Sequence, residues 1–284
     1  TSISRLMNNR VLRNLLFEPP VRLLVKIMLS NPLAFRYAFR WAALFDAVRY
    51  PAYALGLQTA CRYARLAGAR GFTALEFGVA GGNGLRELTV YAQKVSKRTG
   101  LEIHVVGFDT GMGLPLSSDY RDVPWLWQPG DFPCDVDLLR RSVPTTTELV
   151  IGLVEDTLPR WLSQPSRLPI GFVSVDVDYF SGSEAILNAL GSAEASLLLP
   201  FVSFYFDDVL RFLTPRSTGE YAAIAEFNSS HRWRKFDRDD WLAEMRPFGE
   251  RLWLRRMYSL CCFDHPAMRK QPRSNVARLD LTRA

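Results

Sequence analysis

The chain has 284 residues, of which 48% are hydrophobic and 23% charged, with a formal net charge of +6. This composition suits a globular protein with one sizeable core and excludes disordered and collagen-like chains. No run of about 18 apolar residues occurs, which argues against a membrane-spanning helix.

The excess positive charge sits at the ends. Residues 1–70 carry eleven Lys and Arg against Glu18 and Asp46, and residues 265–284 carry five against Asp280. The body between them is therefore net acidic. Residues 1–70 read as a helical cap or extension in pieces broken at Pro19-Pro20, Pro32 and Pro51. Val21 to Leu29 mixes apolar residues with cations, and Phe35 to Phe45 is rich in aromatics. Such a segment suits a cap over a sheet, a contact in a homo-oligomer, or peripheral contact with an anionic membrane. Nucleic acid is not expected as a partner, because large apolar residues separate these cations instead of leaving them on one polar stripe.

From residue 71 the pattern changes. Ala74-Leu75-Glu76-Phe77 is an apolar strand running into the glycine-rich turn Gly78-Val79-Ala80-Gly81-Gly82-Asn83-Gly84. A helical pattern follows at Leu85, Leu88, Tyr91 and Val95, and a second apolar run, Ile103 to Phe108, ends in Asp109. This is a βαβ unit with an acid closing the second strand, the layout that holds an adenosine-containing cofactor. Dinucleotide binding needs G-x-G-x-x-G, and here Glu87 stands where the third glycine belongs. The turn instead reads E-x-G-x-x-x-G, with Glu76 two residues before Gly78. A carboxylate there repels a pyrophosphate and suits an ammonium group, which favours S-adenosylmethionine over NAD; a glycine turn without a ligand is the plainer alternative.

Strands are expected at 73–77, 103–108, 148–153, 171–177, 201–206 and 253–263, and helices at 84–98, 136–142, 156–162, 182–194 and 217–229. The last strands, near Trp233 to Phe236 and Trp253 to Phe263, suit an antiparallel closing pair. Alternation on this scale predicts an α/β fold: a doubly wound, mostly parallel, Rossmann-like sheet. Residues 110–135 show little periodicity, carry Tyr120, Trp125 and Trp127, and read as a lid whose aromatics stack on an acceptor or pack against the body.

Ligands bind at the carboxyl ends of strands in such sheets. The run 171–175 ends in Asp176-Val177-Asp178, and 201–206 ends in Asp207-Asp208. Asp176, Asp207 and Asp208 would meet at neighbouring strand ends. Converging carboxylates call for a hard divalent cation such as Mg²⁺, unless they cap the helices that follow, above all the one after Ser181 or Ser183. Cys61, Cys134, Cys261 and Cys262 have no metal or disulfide spacing, and only three histidines are present, so zinc is not expected. No signal-peptide pattern is visible, and the reducing cytoplasm is the expected location.

At this point an ordered set of motifs resembles the class I S-adenosylmethionine-dependent O-methyltransferases of the macrocin type, which methylate sugar hydroxyls. The motifs are Glu76-Phe-Gly-Val-Ala-Gly-Gly, Gly107-Phe-Asp-Thr-Gly-Met-Gly-Leu-Pro115, Gly130-Asp-Phe132, Ile151 to Pro159, Val175-Asp-Val-Asp-Tyr179 with Ser181 to Glu184, and Phe206-Asp-Asp-Val209. The resemblance spans about half the chain. It implies that Glu76, Gly78 and Gly82 line the methionine end of the cofactor. Asp109, with Thr110 beside it, would bind the ribose, and Leu153, Val154 and Glu155 would flank the adenine. Asp176, Asp207 and Asp208 become Mg²⁺ ligands, with Asp176 and Asp178 as the catalytic acids. The general base departs from the related pattern: Tyr179 replaces a lysine, and no histidine lies between His104 and His231. The expected organisation is a cap at 1–70, a methyltransferase domain at 71–264 and a basic tail at 265–284. The expected reaction is methyl transfer to a sugar or phenolic hydroxyl of a small molecule, with Mg²⁺ assistance. A non-catalytic scaffold docking through its N-terminal helices and an NAD-dependent oxidoreductase are the alternatives.

Overall fold

A computed structural model of the chain describes residues 21–29, 41–165, 167–210, 214–245 and 251–269. The proline breaks at Pro19-Pro20 and Pro32, and nearly all of the basic tail, lie outside the described residues. After the short helix α1 (Val21–Leu29) come α2 (Pro51–Ala67), β1 (Gly71–Phe77), α3 (Asn83–Thr99) and β2 (Glu102–Asp109). The lid then leads to α4 (Val136–Ser142), β3 (Thr147–Ile151), α5 (Val154–Leu162), β4 (Ile170–Val175) and α6 (Phe180–Ser192). The chain continues through β5 (Leu198–Phe206), α7 (Gly219–Ser230), β6 (Arg234–Arg238), α8 (Trp241–Met245) and β7 (Met257–Cys262).

The strands form one sheet in the order β3-β2-β1-β4-β5-β7-β6. The first five run parallel, while β7 lies antiparallel to both β5 and β6. This is the expected doubly wound, mostly parallel, Rossmann-like sheet. The chain winds outward from β1 through β2 to β3, then returns to the other side of β1 with β4 and β5. The strand order thus reverses between β1 and β4, where a doubly wound sheet opens a crevice at its carboxyl edge.

Periodicity explains the main elements. In α3, Leu85, Leu88, Ala92 and Val95 are buried on one stripe, and the helix stops at Gly100 after Lys97 and Arg98 in its last turn. Every residue of β1 and β4 is buried, as helices on both faces of a parallel sheet require. On one face α2 lays Tyr53, Leu57, Ala60 and Ala64 against Phe72, Ala74 and Phe172. On the other, α5, α6 and α7 cover Leu75, Phe77, Val173, Phe204 and Phe206. Residues 51–67 of the expected cap are therefore one of the two layers on the sheet. The α1 side chains of Leu23, Leu24, Ile27 and Met28 are exposed. No helix among the described residues is long and apolar enough to cross a membrane.

Two strand boundaries differ most from the sequence reading. Residues 253–256, expected as strand, belong to a 3-10 turn (Leu252–Arg256) before β7. Asp46 holds this segment from across the molecule, accepting hydrogen bonds from Trp253 Nε1 at 3.0 Å and Arg251 Nε at 3.2 Å. The strand expected at 201–206 begins earlier, at Leu198, so Pro200 lies inside β5, where the pairing with β4 shifts register between Leu198 and Ser203. A residue without an N–H is tolerated at such an irregularity.

Candidate functional site

The glycine turn leaves β1 at Phe77 and passes under β4. Gly78 has φ +81°, and a Cβ on it would stand 1.8 Å from the Asp176 carbonyl oxygen, so only glycine fits here. Asp109, the last residue of β2, faces this turn. Its Oδ2 accepts hydrogen bonds from the backbone N–H groups of Val79 at 2.9 Å and Ala80 at 2.8 Å, and its Oδ1 accepts from Gly111 N–H at 2.7 Å. The amides that cradle a pyrophosphate in a dinucleotide site are here committed to a carboxylate. Of the roughly four acceptor positions on that carboxylate, three are in use and one remains.

A cavity of about 450 Å³ opens beside Asp109 at the carboxyl ends of β1, β2 and β4, within the size range of small-molecule sites. Phe77 and Phe108 form apolar floor, and Leu153 and Val154 form a wall at the start of α5. Six carboxylates line it, from Asp109, Asp131, Glu155, Asp176, Asp178 and Asp207. Among the described residues that line it there is no Lys, Arg or His. Such a surface repels phosphate and attracts cations.

Most of the expected site residues meet here: Gly78, Asp109, Thr110, Leu153, Val154, Glu155, Asp176, Asp178 and Asp207 all line the cavity. Glu76, Gly82 and Asp208 do not line it. Side chains alternate along a strand, so Glu76 shares the face of Phe72 and Ala74 beneath α2, while Leu75 and Phe77 face the other way. There it is buried beside the hydroxyl of Tyr53, which in turn accepts from Ser174 Oγ at 3.0 Å. Burial, and next the Asp176 carboxylate, push the Glu76 carboxyl well above the usual range. Gly82 packs toward α4, where an added Cβ would stand 2.4 Å from Leu139 Cδ1.

The acidic corner follows from strand pairing. Val175 and Phe206 are partners at the ends of β4 and β5, so the residues after them are neighbours. Asp207 N–H donates to the Val175 carbonyl at 3.0 Å, and Asp176 N–H donates to the Phe77 carbonyl at 3.0 Å. Asp176, Asp207 and Asp208 each bring a carboxylate oxygen within 4.8 Å of the others. Two ligand bonds of about 2.1–2.6 Å to one hard cation span up to about 5 Å, so the three oxygens fit a common ion. Asp207 keeps one oxygen for the protein: its Oδ1 accepts from Tyr205 Oη and from Arg256 Nη1, both at 2.6 Å. Asp208 is anchored by its backbone, whose N–H donates to Glu220 Oε2 at 2.8 Å.

The turn after Asp176 is strained. Asp178 is buried with φ +60°, and Tyr179 N–H closes onto the Val177 carbonyl at 2.6 Å. Strain of this kind collects at functional sites. The helix-capping alternative does not describe these acids, because the residue preceding α6 is Tyr179, with no side-chain cap. The cap comes from the lid: Asp122, 1% exposed, accepts from Ser181 N–H at 2.8 Å and Ser181 Oγ at 2.9 Å, and also from Ser117 Oγ. Tyr179, expected to stand in place of a lysine, lines the cavity, and burial and then Asp122 and Asp131 raise its hydroxyl, which stays protonated.

The lid is fastened at several points. Arg121 pairs with Asp119 at 2.7 Å and with Glu226 at 2.8 Å, and its guanidinium lies 3.7 Å from the Phe180 ring centroid. Leu114 and the 130–131 turn exchange backbone hydrogen bonds of 2.8 and 2.9 Å. The expected stacking aromatics are placed differently. Tyr120 and Trp125 are 65% and 56% exposed and stand outside the cavity. Trp127 packs against Phe132, with centroids 5.6 Å apart, and it is Phe132 that faces in, with Leu114 and Pro115. Sequence reading missed Phe132 and Asp122, although Phe132 stood in the quoted Gly130-Asp-Phe132 motif.

No family model and no curated protein matches the chain. Among solved structures, CalS11, a calicheamicin methyltransferase, is similar at 21% identity over 79% of this chain and 81% of that one, with a TM-score of 0.45. The O-methyltransferase NovP is similar at 14% identity over 61% and 69%, with a TM-score of 0.45. An O-methyltransferase from Bacillus cereus, in complex with SAH, is similar at 15% identity over 75% and 89%, with a TM-score of 0.39.

Proposed function

We propose that this chain transfers a methyl group from S-adenosylmethionine to a hydroxyl of a small molecule, with the aid of a divalent cation. One observation carries the reading: the charged groups that line the cavity at the strand-order reversal are, among the described residues, all carboxylates, and Asp109 already occupies the turn amides that a pyrophosphate would need. A sulfonium with an ammonium tail and no phosphate suits that surface, and NAD does not. The remaining acceptor position of Asp109 would take a ribose hydroxyl. Leu153 and Val154 offer a flat apolar wall to an adenine, with Glu155 at its edge.

Asp176, Asp207 and Asp208 would hold the cation, and their all-oxygen set suits Mg²⁺. When bound, such an ion acts as a Lewis acid and lowers the pKa of a hydroxyl at its side. Asp178, strained into the cavity's edge one turn from Asp176, is the residue we assign to receive the hydroxyl proton. Phe132, Leu114 and Pro115 form the lid side of the cavity, and its walls would orient a bound donor and acceptor. For a transfer of this kind such positioning supplies much of the acceleration.

The direct test is to incubate the protein with methyl-labelled S-adenosylmethionine and a fractionated metabolite extract, and to follow label by mass spectrometry. The expected result is a labelled methyl ether whose formation falls at least tenfold in EDTA and returns with Mg²⁺. Label transferred to nitrogen or carbon, or none transferred while cofactor binds, contradicts hydroxyl methylation. Activity unchanged in EDTA and in Asp207→Ala removes the cation from the mechanism.

A further inference from the structure

Glu220 stands behind the acidic corner, in the first turn of α7, and is 1% exposed. Its Oε2 holds the Asp208 backbone N–H at 2.8 Å. Its Oε1 is buried and has no hydrogen-bond partner among the described residues. The carboxylates that act on it most directly are Asp208, Asp176 and Asp207, the three acids of the corner. A glutamate near a helix N-terminus is ordinary on a surface, where water satisfies it. Burying one with an unsatisfied oxygen toward other carboxylates is costly, and such groups call for a partner the protein alone does not supply.

We propose that Glu220 is the fourth carboxylate of the cation centre and acts on the ion through a bound water. This rests on the cation reading above. Glu220 is not among the acids whose oxygens fall within 4.8 Å of one another, so it stands outside the direct ligand set. Mg²⁺ and its analogues keep several waters, and those waters need acceptors. Oε1 supplies one, while Oε2 fixes the backbone of a ligand, so a single side chain sets both the position of Asp208 and the hydration of the ion. Glu220 is thus a positioning residue. Partners of this kind change metal affinity by about 10–100-fold.

The test uses the full chain without cofactor and Mn²⁺ as the probe, titrated by calorimetry, with thermal unfolding recorded with and without the metal. The wild type should bind Mn²⁺ and Asp207→Ala should not; a wild type that binds none defeats the cation reading and this inference with it. Glu220→Gln keeps an oxygen for the Asp208 N–H and replaces Oε1 with a donor. It should bind Mn²⁺ at least tenfold more weakly and gain less Tm from the metal, while its metal-free Tm stays at or above that of the wild type, because the amide oxygen keeps the tie to the Asp208 N–H and the buried Oε1 without a partner among the described residues is gone. Two results overturn the inference given a binding wild type. One is Mn²⁺ affinity equal to wild type. The other is a lowered metal-free Tm in Glu220→Gln, which marks a purely structural tie between α7 and Asp208.

Discussion

Asp109 shows how much one carboxylate does at the residue scale. It closes β2, holds three backbone N–H groups of the two loops around it, and keeps one acceptor position toward the cavity. Replacing one of its oxygens with an amide places a donor against donors. Asp109→Asn should therefore cost about 1–3 kcal/mol of stability in urea unfolding and weaken S-adenosylmethionine binding at least tenfold; a variant equal to wild type in both would mean the loop is held by other contacts. The sequence made Asp109 visible, because an acid ending an apolar run is a local pattern. What it did not make visible is that the acid faces the glycine turn. Glu76 is the converse case. Its identity suggested an electrostatic contact with the cofactor, yet strand alternation alone, which the sequence does contain, places it on the α2 face with Phe72 and Ala74.

At the scale of elements, long periodic segments were legible and short irregular ones were not. The stripe of α3 and the apolar run of β4 carry their own signal, while residues 110–133 take their shape from contacts far along the chain. Asp122 meets Ser181, and Arg121 meets Glu226 and Phe180. Val123 and Phe132 adopt φ near +60°, a region that residue type does not forecast for them. The 3-10 turn before β7 is set in the same way by Asp46, some two hundred residues earlier. These ties make a prediction for the lid. Asp122→Ala leaves the Ser181 amide at the start of α6 without its acceptor and frees the lid at its buried anchor. Limited proteolysis should then cut within 110–133 at least several-fold faster than in wild type, with global stability lower by about 1–3 kcal/mol. Cleavage moving to another segment, with the lid unchanged, would show that Arg121 and the 130–131 turn suffice to hold it.

For the whole molecule, topology converts scattered acids into one surface. Asp109, Asp176, Asp178 and Asp207 lie up to about a hundred residues apart in sequence, and the β2-β1-β4-β5 order sets their strand ends side by side. The alternation of elements forecast that convergence, since parallel strands share a carboxyl edge. The wall of the cavity nearest the lid was not forecast. On the proposed function, this acid-lined crevice selects a cationic, phosphate-free adenosine cofactor. Calorimetric titration of the full chain with S-adenosylmethionine and, separately, with NAD separates the two cofactors. Saturable one-to-one binding of S-adenosylmethionine, weakened in Asp109→Asn, with no heat of binding from NAD, is expected; saturable binding of NAD with none from S-adenosylmethionine would overturn that selectivity.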